Sequence, residues 1–146
     1  MQSSLCDIDN IFRHFDLGNS YASPVIACLY TGASPQCAAP MPRDPLPALG
    51  LPLNENFPTE LAKAISLNDA VHDGAVMFGR TSQNEHYRLQ GWSFRLFPPK
   101  TETHFNNMGS AFNSCIAMSA VKGVDAVYLI NRQGRFCFQN ASSKRL

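Results

Sequence analysis

Apolar residues recur at helical spacing at Leu5, Ile8, Ile11, Phe12 and Phe15, and Gly18 follows them. That pattern predicts a short amphipathic helix within residues 1–18, its apolar stripe lying on a sheet. Val25-Ile26-Ala27-Cys28-Leu29-Tyr30 is an unbroken apolar run, the signature of a strand buried on both faces. Between Gly32 and Pro58 the periodicity stops, because seven of the ten prolines fall there. Their missing donors and fixed φ exclude a regular element through most of the stretch, leaving an ordered surface loop with extended pieces. Pro58 suits the first turn of a helix running to about Ser66, which Asn68-Asp69 breaks. Ala75 to Phe78 predicts a strand, and Arg80 to Glu85 a polar hairpin turn. From His86 to Phe97 the chain alternates, with Tyr87, Leu89, Gly91, Ser93 and Arg95 opposing Arg88, Gln90, Trp92, Phe94 and Leu96. Pro98-Pro99 stops that strand, and Lys100 to Asn107 reads as polar loop. Gly109 to Lys122 predicts a helix with Phe112, Cys115, Ile116 and Ser119 on one side, ended by Gly123. Ala126 to Ile130 and Arg135 to Phe138 predict a hairpin around Asn131-Arg132-Gln133-Gly134. Strands and helices mixed without strict alternation predict an α/β fold, a mixed central β-sheet flanked by helices.

Composition narrows the class. A chain of 146 residues suits one domain, with its core over about residues 24–139. At this size folding buries roughly 70% of the unfolded surface, enough for one good core. The chain is 45% apolar and 16% charged, which is lean in charge but not the profile of disorder. A net charge of +1 gives no whole-molecule field favouring nucleic acid or membrane. Lys144-Arg145 is too short for a nucleic-acid arm and reads as a solvated end. No apolar run approaches bilayer length, and the N-terminus lacks the basic and apolar regions of a signal peptide, so a cytoplasmic location is expected. The five cysteines are odd in number and contain no Cys-x-x-Cys, which argues against a disulfide framework and a zinc site. Cys28, Cys115 and Cys137 sit in apolar stretches and are expected to pack as small buried residues. His14, His72, His86 and His104 show no metal-ligand spacing.

The chemistry gathers around Leu51-Pro-Leu-Asn54, Val71-His-Asp-Gly-Ala-Val76, Arg95-Leu-Phe-Pro98, Asn107-Met-Gly-Ser110 and Ser119 to Ala126. Asp-Gly alone is a common turn dipeptide. The set, in this order, resembles the diadenylate cyclase domain family, typified by the N-terminal domain of the DNA-integrity scanning protein DisA, from about Pro24 to Gln139. The resemblance implies that fold and a nucleotide site around His72, Asp73, Gly74 and Ala75. It implies that Asp73 helps hold magnesium or manganese, as a hard oxygen ligand suits, and that Gly74 lets the nucleotide approach the backbone. His72 is expected to orient the turn.

The departures bear on the reaction. Where the family has Gly-Thr-Arg-His-Arg, this chain has Gly109-Ser110-Ala111-Phe112-Asn113. Alanine and phenylalanine donate no side-chain hydrogen bond, and asparagine only a neutral one. Two charge-assisted bonds at about 1.5–3 kcal/mol each are lost, on the order of 10²–10⁴ in affinity or rate. Phosphoryl transfer depends on positioning and charge stabilisation, so the loss falls on the chemical step. The family's acidic turn near the last hairpin is shorter here and reads Asn131-Arg-Gln-Gly134. Arg132 and Arg135 are either replacement cations or solvated turn residues. Gly109 and Ser110 open a helix whose free N–H groups suit a phosphate. Phe112 is either a stacking surface for a base or plain core, and Leu96 and Phe97 offer an apolar wall. Asp73 is the one retained catalytic candidate.

The expectation is a catalytically degenerate diadenylate cyclase-like domain. It would bind a nucleotide or a cyclic di- or oligonucleotide as a sensor, with no required cofactor. Magnesium or manganese enters only with a bound triphosphate. A homodimer or a fused or separate effector protein is the expected partner, with no nucleic acid and no membrane. An active cyclase with substitute residues, and a protein-interaction module whose cleft Phe112 fills, are the alternatives.

Overall fold

The computed structural model describes residues 5–16, 24–99 and 108–146. Gly18, His104 and the predicted loop Lys100 to Asn107 lie outside them. Three α-helices are present among the described residues: α1 (Leu5–Arg13), α2 (Phe57–Leu67) and α3 (Gly109–Ser119). The strands are β1 (Val25–Thr31), β2 (Ala38–Pro40), β3 (Ala75–Arg80), β4 (Arg88–Leu96), β5 (Val124–Asn131), β6 (Gly134–Gln139) and β7 (Ser142–Arg145). They form one mixed sheet in the order β2-β4-β3-β1-β5-β6-β7. β1 and β3 are parallel, and the other neighbours are antiparallel.

Period-two side chains divide the core into two layers. Ala27, Leu29, Val76, Phe78, Ala126 and Tyr128 face α1 and α2, packing with Ile8, Phe12, Phe57 and Leu61. Cys28, Tyr30, Met77, Val127, Leu129, Phe136 and Phe138 face α3, packing with Phe112, Cys115, Ile116 and Met118. The central strands therefore read as continuous apolar runs, as a sheet covered on both faces requires. On the first face Phe12 stacks on Tyr128 at 4.1 Å, and Phe57 meets Phe78 edge-on at 5.0 Å. The Tyr128 hydroxyl donates to the buried Asp9 at 2.6 Å, and Lys144 pairs with the same carboxylate at 2.7 Å. That link ties α1 to both β5 and β7.

The proline-rich loop runs along the outer edge of β4. Gly50 N–H donates to Leu89, Leu89 N–H to Leu51 and Leu53 N–H to Tyr87, at 2.7, 2.7 and 3.0 Å. The Trp92 indole donates to Ala48 at 3.1 Å. These bonds, with the short strand β2, order the segment although proline excludes regular pairing through most of it.

Three details differ from the sequence pattern. The simple alternation of β4 fails, because its pairing with β3 slips twice, between Phe78 and Met77 and again between Met77 and Ala75. Each extra residue turns the strand over. Leu89 and Trp92 therefore share one core face, while Phe94 and Leu96 serve the other. Helix α3 ends at Ser119 rather than Lys122, since Ser119 engages the β6–β7 turn: its hydroxyl accepts from Ala141 N–H at 3.0 Å and its carbonyl from Asn140 N–H at 3.2 Å. The basic tail is strand β7, with the Arg145 guanidinium lying 4.8 Å over the Phe136 ring. Its exposed lysine and arginine suit an edge strand, where charge discourages pairing with another chain. Among the described residues no helix is long and apolar enough to cross a membrane.

Candidate functional site

Parallel strands β1 and β3 begin at one end of the sheet, and antiparallel β4 finishes there. Those three termini and the first turns of α3 surround a cleft of about 530 Å³. That volume lies within the roughly 300–1,000 Å³ of small-ligand sites. His72, Asp73, Gly74, Ala75, Leu96 and Ser110 all line it, so the two stretches singled out in the sequence meet across one space.

The turn carrying Asp73 is built locally. Asn68 accepts from Ala70 N–H at 3.2 Å through its side chain and starts a 3-10 turn over Asp69–His72. Asp73 N–H closes that turn on the Ala70 carbonyl at 3.1 Å. His72 places Nδ1 2.6 Å from the Asp69 carbonyl, which holds the ring against the turn. Gly74 then takes φ +90. A Cβ on Gly74 would lie 2.8 Å from the Ser93 carbonyl carbon and 2.9 Å from the Phe94 oxygen. The space freed by the missing side chain is thus filled by β4. The close approach expected for a nucleotide is made here by the protein's own backbone. Ser93 sits at φ 58 and is fully buried. Its hydroxyl donates to the Val71 carbonyl at 3.3 Å and accepts from Arg43 Nε at 3.1 Å. Turn and bulged strand therefore fix each other.

Asp73 is 69% exposed, and Arg43 Nη2 stands 3.9 Å from its Oδ2. Arg43 is held in place by the Ala70 carbonyl at 3.1 Å, the Pro42 carbonyl at 2.8 Å and Ser93. Among the described residues this arrangement does not fit a divalent ion. Hard cations want several oxygens at about 2.0–2.6 Å, yet no group of three His, Cys, Asp or Glu among the described residues could hold one. The lone carboxylate already faces a resident guanidinium.

The helical wall is neutral. Ser110, Ala111 and Ser114 face the cleft, and Ala111 stands where the family pattern has its first arginine. Phe112 points the other way: it is 4% exposed and meets Phe136 and Phe138 edge-on at 5.2 and 4.9 Å. It neither stacks on a ligand nor plugs the cleft, because a helix that turns Ala111 outward must turn its neighbour inward. Gly109 and Asn113 do not line the cleft; the Asn113 amide donates to the Gly109 carbonyl at 2.9 Å. Phe97, 51% exposed, lies outside it, while Leu96 lines it. Arg135 is no replacement cation, since its guanidinium donates to the Phe15 carbonyl at 2.6 Å on the α1 side. Arg132 is exposed in the β5–β6 turn and lines no part of the cleft.

A second cleft of about 570 Å³ lies at the opposite end of β1 and β3. Its charged groups are engaged. Arg80 donates to Thr31 at 2.8 Å and pairs with Asp125 at 3.9 Å. Glu85 accepts from Thr81, which lowers its pKa, and Arg88 donates to the Gly50 carbonyl at 3.2 Å.

No family model and no curated protein matches the chain. Solved structures do. A hypothetical membrane-spanning protein from Bacillus cereus superposes with a TM-score of 0.64 at 13% identity, covering 99% of this chain and 64% of its own length. A double mutant of DacA from Staphylococcus aureus superposes with a TM-score of 0.56 at 10% identity, over 84% of this chain and 74% of its own. The chain shares the fold of DacA. At these identities the likeness is one of fold, and the chain spans just under two thirds of the Bacillus cereus protein.

Sequence reasoning missed three contributors. Arg95 lines the cleft from β4, and its side chain makes no hydrogen bond or ion pair among the described residues. Ser114 follows Ser110 by one helical turn, a spacing that signals a shared face. Arg43 comes from the proline-rich loop, where no local pattern marks it.

Proposed function

We propose that this chain is a nucleotide-binding domain of diadenylate cyclase-like fold that does not form the cyclic product, and that it serves as a sensor or regulatory module. One observation carries the reading: the Asp73-Gly74-Ala75 turn and the first turns of α3 line the same 530 Å³ cleft. A shared fold with DacA, a diadenylate cyclase, supports it. The loss of activity follows from the helical wall. Ala111 offers no charge, Phe112 is in the core and Asn113 does not line the cleft. Transfer between phosphates needs cations aimed at the charge that develops in the transition state. Binding requires less: a shaped cleft, hydroxyls and a positive group.

A thermal-shift titration against ATP, ADP, GTP and a panel of cyclic di- and oligonucleotides tests the reading. A ligand at 100 times its Kd stabilises the fold by about 2.7 kcal/mol. A selective rise with one of these nucleotides supports the proposal, and no rise with any sinks it. Mass spectrometry after incubation with ATP and manganese tests the missing activity. A cyclic product there would return the chain to the active enzymes.

A further inference from the structure

We infer that the cleft binds its ligand without a metal ion, through Arg95, and that the ligand carries an isolated phosphate mono- or diester rather than a metal–triphosphate. The inference rests on the nucleotide reading and adds how the anion is held.

Two arginines away from the family's Arg-His-Arg positions reorganise the charge. Arg43 is anchored by three acceptors and only 14% exposed, and it sets its guanidinium 3.9 Å from Asp73. A group so fixed is part of the site at all times, so the carboxylate has a cation beside it before any ligand arrives. A divalent ion on Asp73 would then have to sit beside a fixed positive charge and find its other oxygens elsewhere. With Asp73 beside Arg43, the remaining formal charge on the cleft wall is Arg95, unengaged among the described residues. Ser110 and Ser114 supply neutral donors from α3. One guanidinium matches one phosphate through a bidentate pair. A triphosphate brings several charges to a site with one unengaged cation among the described residues, and its excess charge would stay uncompensated.

The test is calorimetric titration of the full chain with AMP, cyclic di-AMP, ATP and inorganic phosphate, each in EDTA and in magnesium. AMP or cyclic di-AMP should bind equally in both. Arg95→Gln should weaken that binding about 10- to 150-fold, the loss of one charge-assisted bond. Asp73→Asn leaves the Arg43 anchors in place but removes the carboxylate beside that guanidinium, so it should strengthen the binding in EDTA. Binding that requires magnesium and disappears in Asp73→Asn would overturn the inference while leaving a nucleotide site intact. Inorganic phosphate binding in EDTA that depends on Arg95, with no response to any nucleotide, would keep the metal-free anion site and remove the nucleotide reading. Binding indifferent to Arg95→Gln would overturn the inference outright.

Discussion

Replacing Gly74 by alanine separates its role in the fold from any role at a ligand. The native φ of +90 is one that L side chains resist, at a cost of about 1–2 kcal/mol. The added Cβ also meets two backbone atoms of β4, at 2.8 and 2.9 Å, and the Met41 methyl at 2.8 Å. Met41 can swing away, but the Ser93 and Phe94 backbone is held by its own hydrogen bonds. Forcing it apart resembles overpacking, about 1–3 kcal/mol more. Together these give about 2–5 kcal/mol. For a domain near this size that lowers Tm by about 5–20 °C. Gly32→Ala and Gly50→Ala supply the control. Both glycines hold similar φ, +88 and +86, with nothing within 4 Å of the new Cβ. They should lose only the conformational share, so the difference from Gly74→Ala isolates the clash. The assay is urea unfolding of all three variants at one pH. If Gly74→Ala matched the controls in stability yet lost nucleotide binding, the glycine would serve the ligand, and its packing against β4 would not be the reason a side chain is excluded.

Phe112→Ala should destabilise by about 3–5 kcal/mol, since it strips an aromatic edge from Phe136 and Phe138. The milder Phe112→Leu, measured by calorimetry, should leave nucleotide affinity unchanged; a gain in affinity would mean that the ring guards the cleft. Alkaline pH should weaken the fold from about pH 9 upward, as followed by urea midpoints between pH 8 and 10.5. Burial raises the Cys28 thiol from 9.0 to about 12 and Cys137 to about 11. The unfolded chain therefore releases these protons first, and each group removes about 1.4 kcal/mol of stability per pH unit across its window. A flat profile to pH 10.5, or one unchanged in a Cys28→Ala, Cys137→Ala double variant, would contradict that cause.

The sequence carried the fold where burial is uniform. β1, β3, β5 and β6 are covered on both faces, so their apolar runs are visible without knowledge of their neighbours. β4 misled for a physical reason: its residues alternate locally, but two bulges against β3 reset the faces, and Ser93 takes a left-handed φ that no glycine announces. β7 was hidden because Ser142-Ser143-Lys144-Arg145 is exposed throughout and turns at Asn140-Ala141 through φ 50 and 62. The turn at Asp73 and the wall at Ser110 were legible from motif order. Arg43 was not, since bonds from the loop to Leu89, Tyr87 and Trp92 decide where it ends.

The position of Phe112 makes the departure from the cationic motif more than a set of surface differences. In the family pattern a histidine stands there, between two arginines. Here the ring is one of the pieces that join α3 to β6, wedged edge-on against two other aromatics. A histidine would bring polar nitrogens into an apolar, aromatic layer, and an unpaired buried polar group costs about 1–3 kcal/mol. Ala111 differs, since it faces the cleft and could accept a longer side chain. The helical wall is therefore divided: one position could regain charge at little cost, while the next is bound into packing. Arg95 stands on the strand side of the same cleft and approaches a phosphate from another direction. Such a cation can hold a bound anion in its ground state. Transfer demands attacking and leaving oxygens in line, with charge stabilised along that axis, and interactions that act only in the transition state are the ones that accelerate it. On the proposed reading, a cation on the strand rather than the helix would serve binding and not the chemical step.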